Sequence, residues 1–216
     1  MRNFFTLLKG TPQDDFIVIP LLPPSVTTPV DVVAGAGNDT IVVAFAPHAN
    51  TPSFITVNGG PGDDWIDTYA LNSSPSTILA GVGNDTLIGG SAADIIAGGP
   101  GNDVIWMGGG DNIFADGHDR LLLDVYAGGG SINLHGATTN TIFDFTSLVP
   151  LHLEAPSKPP DPFTIARSDL SFDAAGNLQV DHADPAFGNF HMTLAGSPYH
   201  DDTSLNAAIS NGHVLL

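Results

Sequence analysis

Residues 80–113 read AGVGNDTLIGGSAADIIAGGPGNDVIWMGGGDNI. Cut into nines, the stretch gives AGVGNDTLI, GGSAADIIA and GGPGNDVIW, which sets Asp85, Asp94 and Asp103 nine residues apart. Two positions after each Asp comes an aliphatic residue: Leu87, Ile96 and Ile105. A chain that folds back within a few residues and aims its carbonyl oxygens at one spot needs positive φ angles, which glycine reaches without strain. The residues after the Asp suit a minimal strand whose aliphatic points inward while its neighbours point out. Repeated, one short strand per loop winds into a solenoid with a thin core of Ile, Leu and Val.

Such loops present one carboxylate and several backbone carbonyls, the donor set of a hard cation. Calcium takes about six to eight oxygens at roughly 2.3–2.6 Å in flexible geometry. Composition points the same way. The 216 residues carry a formal charge of −18, and Glu154 is the only Glu among 23 acidic residues. Asp preference with 25 Gly and only 5 Lys plus Arg argues for turns and cation ligation. It argues against nucleic acid or an anionic membrane as partner. There are no Cys, so neither disulfides nor thiolate metal sites can staple the chain. The opening MRNFFTLLKG has an apolar run too short for a signal segment, and no later stretch is long enough for a membrane span. The expectation is a protein that leaves the cell without a classical N-terminal signal.

Outward from the central stretch, the same frame recurs. GTPQDDFIV holds Asp15 and Ile17 with Leu8 before them, AGAGNDTIV holds Asp39 and Ile41 after Val32, and GGPGDDWID holds Asp64 and Ile66 after Val57. The intervals from Asp15 through Asp39 and Asp64 to Asp85 are 24, 25 and 21 residues, against 18 from Asp85 to Asp103. If one coil is two nonapeptides, a single column carries Asp15, Asp39, Asp64, Asp85, Asp103 and Asp119. The surplus residues then lie opposite, in the Pro- and Ser-rich connections IPLLPPSVTTP, FAPHANTPS and YALNSSPS. Six or seven coils would make a rod on the order of 30 Å long. After Asp103 the register loosens: Asp111 and Asp119 follow at eight-residue intervals, and Ser131 and Asn140 then stand near where an Asp would sit, as in the atypical end coils that capping requires. A disordered Gly/Asp linker would not keep Asp, Gly and aliphatic positions in phase.

The predicted fold is all-β: a right-handed parallel β-roll over residues 1–145, followed by a small β-rich C-terminal cap over residues 146–216. The Pro-rich LEAPSKPPDP joins them. SDLSFDAAGNLQVDH reads as a hairpin around AAGN, FGNFHMTLAG as a strand, and DDTSLNAAIS as a short helix capped by Asp202 or Thr203 before an apolar end.

The nonapeptide G-G-x-G-x-D-x-U-x resembles the repeat of RTX, or hemolysin-type, calcium-binding proteins, with the best match from Gly35 to Asp103. The resemblance implies calcium ions between vertically adjacent loops, held by the two loop Asp residues and by turn carbonyls. Carried over, Asp39 and Asp64 share an ion with Gly35, Gly37, Gly59 and Pro61. Asp64 and Asp85 do so with Gly60, Gly62, Ala80 and Val82, and Asp85 and Asp103 with Gly81, Gly83, Gly98 and Pro100. Ala92 and Ala93 in the Asp94 loop, the short Asp111 loop and Gln13 before Asp15 depart from the pattern. Residues 146–216, with their D-L-x-F and G-N-L-x-V strands from Asp169 on, resemble the C-terminal extensions of RTX proteins exported by type I secretion, which implies an uncleaved C-terminal signal and the secretion machinery as partner. Carboxylates ~5 Å apart repel by about 3 kcal/mol at an effective dielectric of 20. The further expectation is therefore that calcium drives folding, at extracellular rather than cytosolic concentration.

No H-E-x-x-H, G-x-S-x-G or P-loop occurs, and the eight His lack zinc spacing, so the chain reads as non-enzymatic. Asp63, Asp67 and Asp124 are carboxylates a calcium solenoid carries without catalysis. Two alternatives stand. One is an extracellular adhesin or carbohydrate-binding module that stacks a glycan or other cell-surface ligand on Trp65 and Trp106. The other is the C-terminal module of a larger secreted hydrolase or toxin.

Overall fold

The computed structural model describes residues 6–19, 29–43, 54–71, 74–90, 92–108, 110–116, 118–123, 130–145, 165–184 and 188–216. The connections IPLLPPSVTTP and FAPHANTPS, the linker LEAPSKPPDP and Asp124 lie wholly or mostly outside them.

Among the described residues seven coils follow one another, each of two short strands. They are β1 (Thr6–Lys9) with β2 (Phe16–Ile19), β3 (Val30–Val33) with β4 (Thr40–Val43), and β5 (Ile55–Pro61) with β6 (Trp65–Asp67). Next come β7 (Ser76–Val82) with β8 (Thr86–Ile88), β9 (Ile95–Ala97) with β10 (Val104–Met107), and β11 (Asn112–Phe114) with β12 (Arg120–Leu123). The seventh is β13 (Gly130–His135) with β14 (Ile142–Asp144). Odd strands form one parallel sheet and even strands the other, so the chain alternates between two walls at every turn.

Register stacks the aliphatic positions read from the sequence into two files. Leu8, Val32, Val57, Ile78, Ile96, Ile113 and Leu134 align along one sheet. Ile17, Ile41, Ile66, Leu87, Ile105, Leu121 and Phe143 align along the other. From the second coil on these side chains are almost wholly buried, whereas Leu8 and Ile17 at the N-terminal end are only partly covered. Each coil buries few apolar groups of its own and relies on its neighbours. Replacing Ile105, which lies between Leu87 and Leu121, by Ala is expected to cost about 2–5 kcal/mol. Denaturant midpoints measured in calcium check this, and a loss below about 1 kcal/mol would contradict the packed core.

The C-terminal region continues both walls. β15 (Leu170–Phe172) and β16 (Leu178–Asp184) form the hairpin expected around Ala174–Asn177, and β17 (Gly188–Ala195) pairs antiparallel with β16 and parallel with β13. After helix α1 (Asp202–Ser210), β18 (Val214–Leu215) pairs parallel with β14. Leu205 and Ala208 on the helix are buried, and Tyr199 meets Phe143 edge to face at 5.7 Å. The helix cap is Asp201, not Asp202 or Thr203: its carboxylate accepts the Ser204 N–H at 2.7 Å, three residues on, as an N-cap must. Among the described residues no helix is long and apolar enough to cross a membrane.

Candidate metal centre

The turns that lead from odd to even strands stack at one edge of the solenoid, and the loop Asp residues form the column expected from the spacing. The backbone N–H of Asp15 donates to Oδ1 of Asp39 at 2.8 Å, that of Asp39 to Asp64 at 2.8 Å, and that of Asp64 to Asp85 at 2.7 Å. Asp85 donates to Asp103 at 2.9 Å and Asp103 to Asp119 at 3.0 Å. Each carboxylate thus ties its own coil to the one before it.

A second ladder runs beside the first in the opposite sense, and the sequence reading missed it. The Asn38 N–H donates to Asp14, the Asp63 N–H to Asn38 and the Asn84 N–H to Asp63, with the Asn102 N–H donating to Asn84 at 3.0 Å. Its signal is legible in retrospect: Asp14, Asn38, Asp63, Asn84 and Asn102 all immediately precede a column Asp. Short polar side chains with an acceptor oxygen suit that exposed position.

The second carboxylate oxygen behaves differently along the column. Oδ2 of Asp39, Asp64, Asp85 and Asp103 is buried and has no hydrogen-bond partner. Burial pushes the carboxyls of Asp64 and Asp103 up to about 7, against the stabilising N–H each receives from the preceding coil. Asp39 and Asp85 are raised for the same first cause. At the two ends the oxygen is satisfied. Oδ2 of Asp15 accepts the N–H and hydroxyl of Thr11, and Oδ2 of Asp119 accepts the Asp116 N–H at 3.1 Å.

The turn glycines fall into two kinds. Gly35, Gly37, Gly60, Gly62, Gly81, Gly83, Gly99 and Gly101 have positive φ, as the tight turns demand. Gly59 and Gly98 do not, which corrects the expectation that backbone conformation explains every turn glycine. They are glycine for room: a Cβ on Gly59 would lie 2.2 Å from Oδ2 of Asp64 and 2.6 Å from the Ala80 carbonyl oxygen, and one on Gly98 would lie 2.0 Å from Oδ2 of Asp103.

The structure brings the carbonyls assigned from the resemblance into the gaps between coils, from both sides. Those of Gly35, Gly37, Gly60, Gly62, Gly81 and Gly83 lie within 2.1 Å of where a Cβ would sit on the facing glycine of the next turn. Those of Gly59, Pro61, Val82, Gly98 and Pro100 point back and accept the N–H groups of Gly35, Gly37, Gly62, Gly81 and Gly83 at 2.8–3.1 Å. Each of the latter keeps a second lone pair. Among the described residues no three acidic or His side chains converge on a point, so an ion here would take at most two carboxylates and complete its shell from backbone oxygens. A buried, unpartnered carboxylate oxygen beside carbonyls, in a cradle a methyl group would fill, fits a hard cation such as calcium.

At the opposite edge Asp94 and Asp111 are also fully buried. Asp94 accepts the Ser76 N–H at 2.6 Å, the Ser76 hydroxyl at 2.9 Å and, on its other oxygen, the Gly90 N–H at 2.8 Å. Asp111 accepts the Asp94 N–H at 3.0 Å and the Gly108 N–H at 2.7 Å. In the seventh coil the Asp positions are taken by Ile132 and Thr141, one residue beyond Ser131 and Asn140.

Trp65 and Trp106 lie on the outer side of the even sheet, as their phase predicts, but they do not form an open platform. Trp106 is 7% exposed and packs in a cluster with Ile88 and Leu122, against which Trp65, Tyr69 and Val104 lie.

The family model described as "RTX calcium-binding nonapeptide repeat (4 copies)" matches residues 56–70 and 79–114, which hold the turns of Asp64, Asp85, Asp94, Asp103 and Asp111. No curated protein matches the chain. The chain thus carries RTX calcium-binding repeats wound into a parallel β-solenoid.

Proposed function

We propose that this protein works by binding calcium ions in the gaps between the turns of Asp39, Asp64, Asp85 and Asp103, and that binding is coupled to folding. The observation that carries the reading is the set of four buried carboxylate oxygens without a protein partner. Bound calcium would supply the positive charge that such oxygens lack. The chain does the rest: Oδ1 of each Asp holds the neighbouring coil in register, glycines keep the cradle open, and the carbonyls crowd oxygens into each gap. Without a cation, burying ionised carboxylates costs several kcal/mol apiece, a large part of the ~5–15 kcal/mol stability of a domain. The reading assigns a binding role and no catalytic step.

Export fits this reading. A site filled only at the 10⁻⁴–10⁻³ M calcium typical of extracellular modules would let the chain stay unfolded inside a cell and fold on arrival outside. The C-terminal hairpin and aliphatic end, by their resemblance to type I export regions, support release through that machinery.

Far-UV circular dichroism of the protein titrated with calcium, with magnesium as control, tests the proposal. A cooperative gain of β signal in the sub-millimolar to millimolar range is expected with calcium only. Asp85→Ala should raise the midpoint at least about tenfold. A β spectrum already complete in chelator and unchanged by calcium would overturn the coupling.

A further inference from the structure

The two edges of the solenoid both stack buried aspartates, yet they differ in how completely the carboxylates are satisfied. On one edge, Asp39, Asp64, Asp85 and Asp103 each leave one oxygen buried and unpartnered. The turns of those same four coils are the ones that carry a pair of positive-φ glycines, at the second and fourth positions. The first coil has Thr11 and Gln13 at those positions, neither with positive φ, and there Thr11 closes the Asp15 carboxylate. Turn conformation and carboxylate satisfaction change together, coil by coil.

On the other edge both oxygens of Asp94 and of Asp111 accept protein donors. The Asp94 turn has Ala92 where the opposite turns have the second positive-φ glycine and Ala93 where they have Asn or Asp, and neither Ala has positive φ. A carboxylate that already accepts two backbone N–H groups and a hydroxyl has little left to offer a cation, and withdrawing those donors would strand them in the core. Ser76, Gly90 and Gly108 here do what an ion would do.

We infer that calcium binding is one-sided: the cation sites are confined to the three gaps from Asp39 to Asp103, whereas Asp94 and Asp111 act as internal anions that cap backbone N–H groups and hold no metal. The row ends where Thr11 and Asp116 supply the missing donors. This inference rests on the calcium reading above and deepens it.

Native mass spectrometry of the full chain at saturating calcium counts the ions. Wild type is expected to hold ions, Asp94→Asn and Asp111→Asn to hold the same number, and Asp64→Asn to hold fewer. A lower count in Asp94→Asn or Asp111→Asn would overturn the one-sided assignment while leaving calcium binding intact. No bound calcium in wild type would instead remove the functional reading itself. Should the opposite-edge variants fail to fold, wild-type crystals grown with terbium(III) in place of calcium serve the same purpose. Anomalous peaks are expected only in the three gaps between the turns of Asp39, Asp64, Asp85 and Asp103, and a peak beside Asp94 or Asp111 would overturn the inference.

Discussion

In chelator the protein is expected to hold more β structure at pH 5 than at pH 7.5, and calcium at pH 7.5 to restore what is lost. The sign follows from the buried column. Asp64 and Asp103 titrate near 7 in the fold and in the ordinary Asp range when unfolded, so between about pH 4 and 7 the folded state binds more protons. Stability therefore falls as pH rises through that window, by roughly 4 kcal/mol for each of the two once both are ionised. Asp39, Asp85, Asp94 and Asp119 are raised as well and act in the same direction. The lowered carboxyls of Asp169, Asp173 and Asp201 act oppositely, but only at more acidic pH, where they become protonated. Because calcium must displace the same protons, its apparent affinity should climb from pH 5 to 7 and binding near pH 6 should release protons. Metal-free stability that rises between pH 5 and 7.5 would show that these carboxylates are not buried as described.

Gly60→Ala is expected to abolish folding at millimolar calcium or to cost more than about 3 kcal/mol. Gly60 has φ +114, where an L side chain is strained, and its new Cβ would lie 1.8 Å from the carbonyl oxygen of Gly35. That oxygen belongs to the backbone of the coil below and cannot swing aside. Gly212→Ala is the control: φ there is +75, but nothing lies within 4 Å of the added methyl group. Its expected cost is about 1 kcal/mol, the conformational part alone. Thermal melts of both variants in calcium make the comparison, and equal losses would mean that the contact between coils is not the dominant effect.

Much of this architecture was legible because two periods interlock. An inward aliphatic every other residue, and an Asp two residues before it, leave one register in which Ile66, Leu87 and Ile105 stack while Asp64, Asp85 and Asp103 align. The irregular intervals between early loops did not obscure it, since extra residues on the far side leave the stacked edge untouched. What could not be read was how each carboxylate is shared. GGSAAD and GGPGND look like variants of one motif, yet the second oxygen of Asp94 is closed by the Gly90 N–H of its own turn while that of Asp103 is left bare. The difference goes with turn conformation, since Gly99 has positive φ and Gly90 does not, and spacing alone does not set it. The phase of Trp106 gives its outward side but not its partners, because what covers an outward residue, here Ile88 and Leu122, is decided by neighbouring coils. The same limit explains why Ile132 and Thr141, not Ser131 and Asn140, hold the Asp positions: in coils without the full motif, only strand pairing sets the register.

The paired ladders have a consequence for how the protein fails. Every link in them joins one coil to its immediate neighbour, by a side chain of one to the backbone of the other. Such a molecule has no keystone. Damage in the middle parts it into two shorter zippers, each with a fresh fraying end, whereas the same damage at a terminus only shortens it. Sensitivity to substitution along the column should therefore follow distance from the nearer end, and burial, nearly identical from Asp39 to Asp103, will not predict it.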